Sequence, residues 1–269
     1  SNCRNSGSMQ VLEGSTNTFA KLTNTGSLAL GVNSLLGYGN ATLFNAAGGV
    51  FNVTGTNAML GIPLSMSPSS GTAVLDNEGT VVLGSGADPS TLTVRNVSFA
   101  IFTNRLGGVV AMKPGSSLVL QYLSAGGSGP WYNSGVVTQD NASVVMDWAA
   151  SVNGSATTRN FYNYGTWTLK NGAVYTHLST TGRPATWALN DCRNTGTLNV
   201  LSGSHVAFRN LANSGSIQLG DNAMIAESPN IGGSAKTLLN TGVISVAGTN
   251  ATYGYAVSST AAYTTILTN

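Results

Sequence analysis

The residues able to do acid–base or metal chemistry are few and scattered. The nine acids are Glu13, Asp76, Glu78, Asp88, Asp140, Asp147, Asp191, Asp221 and Glu227. Only Asp76 and Glu78 are close neighbours, whereas cleavage of a glycosidic bond needs two carboxyl groups at a defined separation. His177 and His205 have no nucleophile context, and no His/Cys/Asp cluster has metal-ligand spacing. Gly126-Gly127-Ser128-Gly129 lacks the Lys-Ser/Thr that follows in a phosphate loop. No catalytic, cofactor-binding or metal-binding residues are therefore expected, and no enzyme. Chemistry of a different kind is offered by asparagine. Asn40, Asn52, Asn96, Asn141, Asn153 and Asn250 each head an Asn-x-Ser/Thr sequon and could carry a glycan on a secreted chain. Asn40, Asn141 and Asn153 lie in polar stretches. Asn52 and Asn96 sit in apolar alternation and serve only if they face outward.

A second and larger set of asparagines recurs in the pattern apolar–x–Asn–x–Gly–x–apolar–x–apolar, with some slippage. Clear copies are Leu22-Thr-Asn24-Thr-Gly26-Ser-Leu28, Leu75-Asp-Asn77-Glu-Gly79-Thr-Val81 and Phe161-Tyr-Asn163-Tyr-Gly165-Thr-Trp167. The full series is Asn5, Asn24, Asn45, Asn77, Asn104, Asn133, Asn163, Asn194, Asn213 and Asn240. None heads a sequon, because the residue two places on is not Ser or Thr. Asparagine tolerates a left-handed backbone and bonds backbone groups at turns. Identical side chains stacked in register can also bond one another. The motif glycine removes a Cβ where the chain bends. These ten residues are expected to form a structural ladder.

The elements that must hold such a ladder follow from its period. Successive motif asparagines are 19 to 32 residues apart, each followed by strand-type alternation, with no sustained helical period. A period near 20–30 with short strands reads as a β-solenoid. The fold expected is all-β: a parallel β-solenoid of about ten coils, one continuous unit over residues 1–269, uncapped at both ends. At about 4.8 Å per coil it forms a rod of roughly 48 Å. Leu28, Val81, Val137, Leu198 and Ile217 should fill its core. Differences in coil length should fall in loops on one face, such as Ser65–Gly71 and Ala125–Pro130.

A longer repeat overlies the coils. Residues 3–31 align without gaps on 192–220, with 15 of 29 positions identical. Residues 3–191 are thus read as a first seven-coil unit and 192–269 as the start of a second. A segment of a longer repeat protein, or a subunit that stacks end to end, is the expectation. Cys3 and Cys192 occupy equivalent places about 34 Å apart along the axis, too far to pair with one another.

Composition narrows the setting. Only 7% of the 269 residues are charged and the formal net charge is +2, while hydrophobic residues reach 42%. There is no basic footprint for nucleic acid and no apolar run long enough to span a membrane. Surface Ser, Thr and Asn, and attached sugar, must keep so uncharged a chain soluble. Aromatic residues concentrate in the middle coils: Trp131, Tyr132, Trp148, Phe161, Tyr162, Tyr164, Trp167, Tyr175 and Trp187. Most are expected in the core or walls, with Tyr164 facing out. A row of exposed rings would instead point to sugar binding.

The Asn-x-Gly coils resemble those of right-handed parallel β-helix proteins, in particular autotransporter passenger domains and filamentous haemagglutinin-type adhesins. That resemblance covers nearly the whole chain at the level of fold. It implies a right-handed coil, display at the cell surface, and adhesion or a structural stalk. Some relatives of that fold are polysaccharide lyases and hydrolases, but their carboxylate clusters have no counterpart here. The expected function is an extracellular or cell-surface structural glycoprotein, part of a fibre, coat or stalk. Its partners are itself and covalent glycans. A surface adhesin or carbohydrate-binding module is the alternative, and a polysaccharide-degrading enzyme a weaker third.

Overall fold

Every Asn-x-Gly motif turns a corner. The apolar–x–Asn segment before it is a strand of one sheet, and the alternating segment after it is a strand of the next. The computed structural model describes residues 2–37, 39–63, 71–85, 88–96, 98–122, 130–148, 161–179, 191–208, 210–227, 236–254 and 265–268. Three parallel sheets stack their strands along one axis. The first has eleven strands, from Asn2–Asn5 to Thr265–Thr268. The second has ten, from Ser8–Val11 to Val243–Val246, and the third ten, from Thr16–Asn17 to Thr252–Gly254. In each sheet, strands adjacent in space are three apart in sequence order, so the chain visits the sheets in turn. This is a parallel β-solenoid of about ten coils. No helix occurs among the described residues.

Register is set by burial of alternate side chains, since a one-residue slip would turn every apolar residue outward. In the second sheet Leu28, Phe51, Val81, Val110, Val137, Trp167, Leu198 and Ile217 form one inward file. All eight are fully buried. The first sheet contributes Leu22, Leu43, Leu75, Phe102, Trp131, Phe161, Cys192 and Leu211 as a second file. The bulky members meet in the middle coils. Phe102 and Trp131 have ring centroids 4.4 Å apart, Phe161 and Trp167 4.6 Å, and Trp167 meets Tyr175 edge-on at 5.2 Å. Trp131, Phe161, Trp167 and Tyr175 are therefore core residues.

Coil length varies between the third sheet and the next strand of the first. The stretches Gly61 to Thr72, Tyr122 to Trp131 and Trp148 to Phe161 all lie there. Nearly all of Ser65–Gly71 and Ala125–Pro130 lies outside the described residues, as does Trp187.

The corner between the second and third sheets carries a repeated feature of its own. Asn33, Asn57, Asn141, Asn171, Asn222 and Asn250 each adopt positive φ, between 44° and 57°. Asparagine is the non-glycine residue best suited to this conformation. The left-handed role thus belongs to this set and not to the motif asparagines. Gly14 and Gly203, paired by the alignment of 3–31 on 192–220, share a left-handed backbone with φ of 65° and 73°, and just past its end so do Asn33 and Asn222 at 53° and 52°.

Candidate functional site

The ten motif asparagines stand in register on neighbouring strands of the first sheet, and nine of them are buried. Each Nδ2 donates to the Oδ1 of the asparagine on the next coil, in nine successive bonds of 2.7–2.9 Å from Asn5 to Asn240. The same Nδ2 also reaches a backbone carbonyl at the start of the next second-sheet strand. Asn133 to Thr166 at 3.1 Å and Asn163 to Thr197 at 2.9 Å are examples. All the amides point the same way, so the ladder has a direction. Beside it runs a file of glycines. A Cβ on Gly135, Gly165, Gly196, Gly215 or Gly242 would lie 2.1–2.2 Å from the carbonyl oxygen of the glycine one coil earlier. Close approach of backbone to backbone, not an unusual φ, is what demands glycine here.

The outer face of this corner holds the exposed features. Arg105 Nε and Nη2 donate to Asp76 Oδ1 and Oδ2 at 2.6 and 2.7 Å, and Nη1 reaches Glu78 at 3.4 Å. The guanidinium also lies 5.4 Å from the Phe44 ring centroid. The two neighbouring acids of the sequence therefore hold an arginine, whose pKa they raise by hydrogen bonding and charge. Further along, Tyr132 and Tyr162 stack at 5.2 Å and 8°, and Tyr162 and Tyr164 lie at 6.2 Å and 11°. Tyr164 is half exposed, as its place between Asn163 and Gly165 suggests. An open notch of about 420 Å³ lies alongside, over the glycine file between Leu106 and Tyr164.

The remaining acids and histidines are dispersed. Asp140 binds Lys170 at 3.1 Å and accepts from Asn171 at 2.7 Å, bonds that hold its pKa below the ordinary carboxylate value. Asp221 accepts from the Thr249 backbone and hydroxyl, which lowers its pKa likewise. Glu13 and Asp88 are exposed. Asp147 belongs to a buried relay on the third sheet, where Arg95 donates to Gln121 and Gln121 donates to Asp147 at 2.6 Å. Burial lowers the Arg95 pKa, and the charge of Asp147 opposes that shift. Burial alone lowers that of His205. The side chains of Asp191, Glu227 and His177 lie outside the description. Among the described residues no group of three His, Cys, Asp or Glu is placed to hold a metal, and no helix is long and apolar enough to cross a membrane.

The sequon asparagines fall into distinct places. Asn40 is exposed, although its Oδ1 accepts from the Thr72 amide at 2.8 Å. Asn52 points outward from the strand Val50–Val53, half-buried. Asn141 and Asn250 are exposed at left-handed turn positions. Asn96 is fully buried and donates to the Gly39 carbonyl at 2.7 Å. It faces inward and is inaccessible in the folded chain. Asn153 lies outside the described residues. Cys3 is exposed on the first coil and Cys192 is buried on the eighth, at equivalent first-sheet positions.

Three features have little or no signature in the sequence. Gln139 lies in the core, accepting from Trp167 Nε1 at 2.7 Å and donating to the Ala142 and Val174 carbonyls. The Arg95–Gln121–Asp147 relay and the second-corner asparagines are the others. Only the last had a sequence signal, an Asn 8 to 9 residues after the motif Asn in coils such as Asn24/Asn33 and Asn213/Asn222. Comparison with protein-family models, curated proteins and solved structures gives no match.

Proposed function

We propose that this chain is an extracellular or cell-surface structural β-solenoid glycoprotein, a segment or subunit of a fibre, coat or stalk. The observation that carries this reading is the unbroken, one-directional amide ladder from Asn5 to Asn240. Each coil offers the next the same donors, acceptors and apolar files, so coils add head to tail without a change of geometry. Load along the axis is then shared by backbone ladders, side-chain amides and a continuous core. Near-neutral charge with exposed Asn, Ser and Thr suits a glycosylated rod outside the cell, and among the described residues Asn40, Asn52, Asn141 and Asn250 are the acceptors that reach the surface. Kinship with autotransporter passengers or haemagglutinin-type adhesins rests on the Asn-x-Gly coils alone.

Location is tested by treating intact source cells with a membrane-impermeant amine reagent. Lys21 and Lys113 are exposed and should be labelled without lysis, on the cells or in the medium. Labelling only after lysis contradicts the proposal.

A further inference from the structure

The residue that follows each ladder asparagine sits at the outer edge of the corner. On three successive coils the segments there are Arg105-Leu106, Ser134 and Tyr164. The small Ser134 between two large neighbours leaves the notch, whose floor is Gly135 and Gly165. We propose that this notch binds one neutral sugar ring of an extended glycan, a function separate from the structural role above.

Ring geometry supports this occupant. Parallel aromatic rings 5.2 Å apart cannot lie side by side in one plane without overlapping, so Tyr132 and Tyr162 face each other along the axis. Tyr164 lies within 11° of Tyr162 and shares that orientation. One of its faces therefore looks along the axis toward the coil of Ser134, whose side chain at the equivalent place carries no ring. Two coil steps, about 9.6 Å, separate Tyr164 from the coil of Leu106. A puckered ring touching both walls needs two separations of roughly 4 Å, which this spacing accommodates.

Lining chemistry selects the class. Tyr164, Leu106 and Val136 are apolar walls and are 51%, 85% and 44% exposed. Ser134 and Thr166 supply hydroxyl groups, and Thr197 lies at the rim one coil beyond Tyr164. A pyranose has an apolar C–H face and a hydroxyl rim and matches both. An apolar side chain would strand the hydroxyl groups away from water. No charged residue lines the notch, and the nearby Arg105 is engaged by Asp76 and Glu78. An anionic ligand therefore finds no partner.

The test is an NMR titration of the isotope-labelled chain with cello-, manno-, malto- and galacto-tetraose, and with anionic tetragalacturonate. The expected result is saturable amide shifts confined to Gly135, Gly165 and Thr166 for at least one neutral tetraose. Binding should weaken at least tenfold in Tyr164→Ala and in Ser134→Tyr, which fills the notch. Both substitutions are on the outer face, and unchanged spectra elsewhere verify the fold. Absence of saturable shifts up to about 20 mM, far above millimolar affinity, overturns the proposal. So does preference for tetragalacturonate, or indifference to both substitutions. Shifts at these amides that change on dilution without sugar assign the notch to a second copy and overturn it as well. None of these outcomes bears on the labelling of intact cells.

Discussion

Asn133 shows what a single ladder residue does. It accepts from Asn104, donates to Asn163 at 2.8 Å and donates to the Thr166 carbonyl at 3.1 Å, all in a fully buried place. A made hydrogen bond adds only about 1 kcal/mol net, but a buried group left without its partner costs roughly 1–3 kcal/mol. Asn133→Leu should therefore lower stability by about 3 kcal/mol or more, seen as a drop in the denaturant midpoint. Asn133→Asp keeps the shape and turns a donor into a carboxylate oxygen facing two acceptors. Its folded state favours the protonated acid, raising the folded pKa above the unfolded value of about 3.9. The penalty is then smallest below that unfolded value and grows as pH rises through the folded one. Denaturation of the variant across pH, against the parent, checks the sign. A penalty independent of pH would mean that the ladder tolerates charge.

At the scale of elements, the corners do more to define the fold than the strands. The glycine file lets successive turns stack backbone on backbone. Gly165→Ala would put a Cβ 2.2 Å from the Gly135 oxygen and 2.6 Å from the Ser134 carbonyl carbon. Neither can yield without separating two coils, so the expected cost lies at or above the ~1–3 kcal/mol of ordinary overpacking. Thermal unfolding of this variant beside Gly107→Ala separates crowding from loss of conformational freedom, since Gly107 has φ of 86° but open space around it. The first corner was legible because Asn, Gly and the flanking apolar residues recur at fixed offsets. Core residues such as Leu28 and Val137 followed from alternation, as inward neighbours must. The second corner was harder to read because either Gly or Asn satisfies a left-handed turn there, so no single residue type repeats. The Arg95–Gln121–Asp147 relay leaves no local trace, because its three members come from three coils, and the Trp167 and Val174 partners of Gln139 come from the next coil. The inward position of Asn96 follows from alternation within its own strand, two places after Val94 and four after Leu92, both core residues. The tyrosine row was half legible. The place of Tyr164 in the motif puts it outward, whereas the stacking of Tyr132 on Tyr162 depends on register between coils.

For the whole molecule, the consequence of equivalent coils is extension. Ten coils at about 4.8 Å span roughly 48 Å, and seven span roughly 34 Å. Among the described residues the amide ladder, the glycine file and the two apolar files all run along the axis from coil to coil. Sequence identity at 15 of 29 positions between residues 3–31 and 192–220 gives that extension a second, longer period. Under the proposed function this solenoid works as part of a longer load-bearing rod. The most direct test of that role is electron cryomicroscopy of the native, unproteolysed material, with the intact mass of the dissociated chain. Filaments far longer than about 48 Å are expected, with an axial periodicity near 4.8 Å and a second one near 34 Å for a continuous chain or near 48 Å for stacked subunits. A chain mass far above 27.4 kDa plus sugar would show covalent continuation, and a mass near it would show stacking of subunits. Isolated rods of about 48 Å at every concentration, built of a chain near 27.4 kDa, would contradict that role.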